Sequence, residues 1–97
     1  MRVTWDPEKS AINQRQHGLS FEVAAQVFQD HHRIEDYDLD HSDVEDRWTV
    51  LGLVGSIGYV IRVTCTDQEP DVVRIISARR ADRHQVQTYL RLRGDHA

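Results

Sequence analysis

Between Trp48 and Ala78 the chain carries three runs of strand-forming residues separated by two short breaker segments. Trp48 to Val54, Tyr59 to Thr66 and Val72 to Ala78 are rich in Val, Ile and Thr, residues that suit a pleated, half-buried surface. Gly55-Ser56-Ile57-Gly58 makes the first turn and Asp67-Gln68-Glu69-Pro70-Asp71 the second. Strands joined by turns this short pair antiparallel, because a parallel pair needs a crossover of a dozen residues or more. The centre of the fold is therefore an antiparallel meander. Its apolar face needs a covering layer.

Helical patterns on either side of the meander supply that layer. Asp6-Pro7-Glu8 is a helix start: Asp6 caps, Pro7 suits the first helical position, and Glu8 favours the positive end of the dipole. Gly18 ends this helix after His17. Ala11, Ile12 and the stem of Arg15 define its expected inner side. Ser20 caps a second helix with Phe21, Ala24, Ala25, Val27 and Phe28 at helical spacing. A third runs from Ala81 to about Leu92, with Val86, Tyr89, Leu90 and Leu92 inward, and Gly94 ends it before the tail 95–97. Met1 to Trp5 reads as a short strand. Residues 29–46 read as loop, with a short extended piece at Ile34, Tyr37 and Leu39. The expected order is β-α-α-β-β-β-α, an α+β fold in which a small antiparallel sheet packs with two N-terminal helices and one C-terminal helix.

Ninety-seven residues make one domain, 1–97, with no repeats or linkers. No apolar run reaches the roughly 20 residues of a membrane helix. Met1 to Asp6 hold no apolar leader, and Cys65 is the single cysteine, so no intrachain disulfide forms. A cytoplasmic location without a membrane partner is expected.

The net charge is −4, but the charges are segregated. Asp30 to Asp46 holds eight acids against Arg33 alone. Arg74 to Arg93 holds six arginines against Asp82 alone. Arginine suits planar, two-point contact with phosphate or carboxylate.

Several familiar sites fail on spacing. Asp36, Asp38 and Asp40 begin like a calcium loop, but His41 stands where Gly is required and Arg47 where Glu is required. No zinc pattern surrounds His31 and His32. A metal-binding reading of the loop from His31 to Asp43 is the weakest one, and no cofactor is expected. Gly52, Gly55 and Gly58 fit neither a dinucleotide nor a phosphate loop, and read as turn and close-packing glycines. Cys65 shares a strand face with Tyr59, Ile61 and Val63, as a buried core thiol does.

The segment Arg74-Ile75-Ile76-Ser77-Ala78-Arg79-Arg80 remains. Strict alternation puts Arg74, Ile76 and Ala78 on one face and Ile75, Ser77 and Arg79 on the other. Ser77, Arg79 and Arg80 are expected to converge on one phosphate where the strand turns into the last helix. The alternative is that Arg79 pairs with Asp6, Asp46 or the acidic loop. His17 and His84 are the groups suited to moving a proton.

The chain resembles the BrnT toxin family over nearly its whole length. Trp5-Asp6-Pro7, Lys9, Asn13, His17-Gly18-Leu19-Ser20-Phe21-Glu22, Ala24, Val27-Phe28 and Asp30 resemble its opening. His41-Ser42, Glu45, Arg47-Trp48 and Gly52 resemble its middle motif. Arg74-Ile75-Ile76-Ser77-Ala78-Arg79, Ala81 and then Tyr89 resemble its close. The resemblance implies a RelE-like α+β fold and a ribonuclease toxin of a bacterial type II toxin–antitoxin pair. It also implies a BrnA-like ribbon-helix-helix antitoxin that neutralises the toxin, and a complex that represses its own operon, with operator DNA contacted only through the antitoxin. Two departures stand out: Gln16 replaces the family's lysine before His-Gly, and Gln85 and Val86 replace its Glu-Arg pair.

The activity implied is metal-independent cleavage of RNA by attack of a 2′-hydroxyl on the adjacent phosphate. Arg79 and Arg80 would stabilise the phosphate, and His17 and His84 would act as acid and base. Arg47, Ser77, Arg74, Tyr89 and Lys9 would support RNA or phosphate binding. The competing reading is a weak or inactive binding module that works through its antitoxin and DNA-binding partner.

Overall fold

The computed structural model describes residues 1–41 and 45–94. Ser42 of the middle motif, Asp43 of the acidic stretch and the tail 95–97 lie outside the described residues. The strands are β1 (Arg2–Thr4), β2 (Ile34–Tyr37), β3 (Arg47–Val54), β4 (Tyr59–Glu69) and β5 (Val72–Arg80). The helices are α1 (Pro7–His17), α2 (Phe21–Ala24) and α3 (Arg83–Arg93), and a 3-10 helix, Ala25–Gln29, continues α2. The expected α+β fold is present, with one strand more than the sequence suggested.

The sheet order is β1-β5-β4-β3-β2. The meander β3-β4-β5 is antiparallel, as the short turns require. Two pairings were not legible. The extended piece expected in the acidic stretch is β2, which pairs antiparallel with β3, Ile34 opposite Leu51 and Tyr37 opposite Trp48, and stops at Tyr37; Leu39 lies instead in a 3-10 helix, Leu39–His41. β1 pairs parallel with β5, Val3 beside Val73. The rest of the chain serves as the crossover that a parallel pair needs.

Helix starts and stops follow the capping residues. Asp6 accepts from the Glu8 N–H at 2.9 Å, and Gly18 takes the left-handed conformation, φ 73°, that closes α1. Ser20 Oγ accepts from the Val23 N–H. Asp82 and Gln85 form a reciprocal capping box on α3.

The inner side of α1 is not the expected one. Ala11 and Ile12 are exposed, while Ser10 and Asn13 are buried. The reason lies in what α1 packs against. β1 is short and covers only Val72 to Arg74, so the edge of β5 beyond it is open. Asn13 fills it, donating to the Ala78 carbonyl and accepting from the Ala78 N–H, while also donating to the Leu19 carbonyl. Ser10 Oγ accepts from the Phe21 N–H. Buried backbone groups need partners, and polar side chains supply them here.

One sheet face packs under Leu19, Phe21, Ala24 and Val27. Its sheet residues include Val50, Ile61, Val63, Cys65, Ile75 and Ala78. Gly52 lets the 3-10 helix approach: a Cβ there would stand 2.9 Å from Val27 Cβ and 3.0 Å from the Val27 carbonyl. The other face is covered by α3 only in part. Tyr89, Val86 and Leu90 pack with Leu51, Leu53, Val60 and Ile34. Leu92, expected inward, is 63% exposed, because the inner stripe of α3 runs through Val86, Tyr89, Leu90 and then Arg93, whose guanidinium lies 5.6 Å over the Tyr89 ring, and Leu92 falls beside it.

Candidate functional site

The part of this face that α3 leaves open is polar. Ile61, Val63 and Cys65 point into the helix-covered core, so Arg62 and Thr64 point the other way. Arg79 stands opposite Arg62, and Ser77 opposite Thr64. These four side chains, with His17 and Ala78, line a cleft of about 250 Å³. His17 joins them from α1, one turn beyond Asn13, and so reaches the open edge of β5.

A bulge sets this register. Cys65 pairs with Ile75 but Thr64 pairs with Ser77, so Ile76 is an extra residue. Strict alternation would separate Ile75 from Ala78, yet both lie in the core. The bulge thereby turns Ser77 and Arg79 together towards the cleft.

The cleft is electropositive. Among the described residues, no acidic side chain lines it. Among the described residues, neither His17 nor Arg79 makes a side-chain hydrogen bond or ion pair, and Arg62 Nε is buried without a hydrogen-bond partner. The alternative pairing of Arg79 with Asp6, Asp46 or the acidic loop does not form among the described residues. The acids around β2 lie at the far edge of the sheet, with β3 and β4 between them and β5. A buried guanidinium edge without a partner is costly unless an anion completes it.

The other expected site residues go elsewhere. Arg80 does not converge with Ser77 and Arg79. β5 continues through Arg80, so Arg80 points to the opposite face, where its guanidinium lies 3.7 Å over the Tyr59 ring. There it lines a second cleft, and His17 lines both. His84 is exposed in the first turn of α3 and lines neither cleft. Lys9, exposed two turns before His17, also lines neither. Arg74 pairs with Thr66 further along the same sheet face. Arg47 pairs with Thr66 from β3, and its guanidinium approaches Glu45 at 4.0 Å.

Tyr89 is fully buried, and its hydroxyl donates to Asp30. Burial pushes the Tyr89 phenol up, and the Asp30 bond adds to this. Burial also opposes ionisation of Asp30, but the Tyr89 hydroxyl and the N–H groups of Leu53 and His32 outweigh it and hold the carboxyl below its usual value. Tyr89 is thus an anchor of α3 rather than a wall of the cleft.

Arg62 and Thr64 were absent from the sequence expectations. The signal was a charged residue alone within the apolar run Val60-Ile61-Arg62-Val63. Only the pairing of β4 with β5 gives it meaning.

Cys65 is buried, and burial followed by the charges of Asp67 and Glu35 pushes its thiol up to about 12. It stays protonated and is no nucleophile at neutral pH. Among the described residues, no three His, Cys, Asp or Glu side chains gather as a ligand set. No helix among them is long and apolar enough to cross a membrane.

No curated protein matches the chain. Among solved structures, the 1.1 Å crystal structure of the Brucella abortus ribonuclease toxin BrnT matches with a TM-score of 0.63 and 23% identity. The match covers 86% of this chain and 99% of that one, so the two share a fold. The family described as ribonuclease toxin, BrnT, of type II toxin–antitoxin systems matches residues 5–85, from Trp5 at the end of β1 into the first turn of α3. That span holds every residue of the arginine cleft, and the chain belongs to the BrnT family of ribonuclease toxins.

Proposed function

We propose that this chain cleaves RNA without a metal, by attack of a ribose 2′-hydroxyl on the adjacent phosphate. The observation that carries the proposal is the cleft in which Arg62 and Arg79 face each other, unpaired, beside His17. The reaction forms a bond from the 2′-oxygen to phosphorus and breaks the bond to the 5′-oxygen. The products are a 2′,3′-cyclic phosphate and a 5′-hydroxyl. Charge builds on the non-bridging oxygens as the phosphorus becomes five-coordinate. Two guanidinium groups carried side by side on neighbouring strands oppose that charge. Thr64 and Ser77, the next pair along the same two strands, add hydroxyl donors.

His17 moves the proton, since imidazole is the side chain best suited to that task at neutral pH. It takes the proton of the 2′-hydroxyl or returns one to the leaving oxygen. Arg80 and His84 are not assigned to the phosphate, because Arg80 stacks on Tyr59 and His84 lies outside the cleft. The partner we propose is a ribbon-helix-helix antitoxin, through which the pair would reach operator DNA and repress its operon. The cellular location we propose is the cytoplasm.

One observation favours a second reading, an inactive binding module. Gln85, where the family has one of its Glu-Arg pair, spends its amide on the α3 cap, and Val86 packs against the core. Neither position supplies a charge.

Induction of the chain alone, with mapping of RNA 5′ ends, tests the proposal. Growth arrest with new 5′-hydroxyl ends, lost in Arg79→Ala, is the expected result. Normal growth and unchanged RNA, with the protein folded, favour the binding module.

A further inference from the structure

His17 lines two clefts. One is the arginine cleft. The other, of about 220 Å³, has a different character. Leu19, Val23 and Ile57 line it with apolar side chains, together with Tyr59, which carries Arg80 over its ring. Tyr59 is 45% exposed and Ile57 37% exposed, so both present apolar surface to solvent. Gly18 turns the backbone past the rim, and open space stands where a side chain there would begin.

We propose that this second cleft is a nucleobase subsite, occupied by the base of the nucleotide whose phosphate enters the arginine cleft. The inference rests on the ribonuclease reading above, and specifies which part of the substrate each cleft takes.

Three observations support a base over other occupants. The first is continuity. A base and its phosphate are tied through one ribose, and the two clefts are tied through one residue, His17. Phosphate in one cleft and base in the other lays the ribose across His17. That places the 2′-hydroxyl at the imidazole that both clefts share. The second is chemistry. Unstacked RNA bases are held on aromatic rings and on guanidinium planes. Arg80 and Tyr59 offer both in one stack, and the bond between them fixes a long, flexible side chain in place. The third is size. The cleft is smaller than a typical drug-sized pocket and suits one planar ring.

Arg80 therefore has a role apart from the one its sequence neighbour Arg79 plays. Arg79 meets the phosphate and Arg80 the base, because consecutive residues of one strand face opposite ways.

The test uses short single-stranded RNA carrying a 2′-O-methyl group at the scissile ribose, which blocks cleavage and leaves binding measurable. A matched oligonucleotide lacks only the base at that nucleotide. Wild type should bind the intact strand about ten-fold more tightly than the abasic one. Tyr59→Ala and Arg80→Ala should bind both equally, with melting temperatures near that of wild type. Arg62→Ala should weaken both by the same factor. If wild type binds intact and abasic strands equally, while Arg62→Ala weakens both, the base subsite falls and the phosphate cleft stands. If no strand binds wild type, the subsite falls together with the ribonuclease reading.

Discussion

Asn13 closes the open edge of β5 by bonding both backbone polar groups of Ala78, 65 positions further along the chain. Its carboxamide does the work of a missing strand. The same contact sets α1 against the sheet, and His17 lies one turn beyond it. The position of the imidazole beside Arg79 thus depends on an amide that is not itself part of the cleft.

Asn13→Ala removes that amide and leaves the buried groups of Ala78 and the Leu19 carbonyl without it. Each such loss is worth roughly 1–3 kcal/mol, so destabilisation of about 3 kcal/mol is expected. Urea unfolding reads it. Asn13→Asp keeps the shape but turns a donor into an acceptor against two carbonyls, and should destabilise as much. A loss below 0.5 kcal/mol in both, on the order of an ordinary surface substitution, would show that the edge is satisfied some other way.

Arg62→Ala and Arg79→Ala should each lower kcat/KM for RNA by roughly 100- to 1,000-fold, the scale of losing one donor to a developing oxyanion. The two act on one group, so the double variant should lose less than the product. Arg62→Lys should recover little, because a point charge cannot replace a fork. Independent, multiplicative losses would place the two arginines on different phosphates.

Gly52→Ala puts a methyl group against Val27, whose Cβ and carbonyl are already in the way. Overpacking of this kind costs about 1–3 kcal/mol. The cost should appear as a lower melting temperature. Val27→Ala in the Gly52→Ala background should give little relief, because alanine keeps the Cβ and the backbone carbonyl of residue 27 still blocks. Full recovery would mean that the outer methyl groups of Val27, and not its Cβ and carbonyl, set the approach.

The Tyr89–Asp30 contact should give stability a limit at each end of the pH scale. Asp30 is held below its usual value, so it contributes stability above the ordinary carboxylate range, about pH 4, and loses it as pH falls. Tyr89 is pushed up, so its contribution is full below the ordinary phenol range, about pH 10, and is lost as pH rises beyond it. Tyr89→Phe removes the bond. The stability gap between wild type and variant should be widest between these limits and narrow outside them. A gap that does not change with pH would show that Tyr89 acts by packing alone.

The parts of the fold governed by local chemistry were readable in advance. Asp6, Gly18 and Ser20 mark helix ends through their own backbone and side-chain preferences, and the two short turns force the antiparallel meander. Features that depend on distant partners were not readable. β2 has a mostly exposed, acidic sequence and is a strand only because β3 offers it an edge. The buried side of α1 is chosen for hydrogen bonding, so apolar spacing pointed to Ala11 and Ile12 instead. At the site, Arg79, Ser77 and His17 were chosen for their chemistry, and the cleft holds all three. The facing of Arg80 is decided by two further residues of strand, Arg79 and Arg80, that the sequence pattern does not mark. The meaning of Arg62 comes from the strand beside it.

β1 joins residues 2–4 to residues 72–74, and the cleft needs His17 from one end of the chain and Arg79 from the other. Contacts this far apart form late, since a long loop must close before they repay its entropy. During synthesis the first helix must therefore wait for more than half the chain before it finds its strand. No partial product can hold His17 against Arg79. A ribosome making this protein carries no finished cleft until β5 has emerged, and a chain broken off before that point lacks Ser77 and Arg79 altogether.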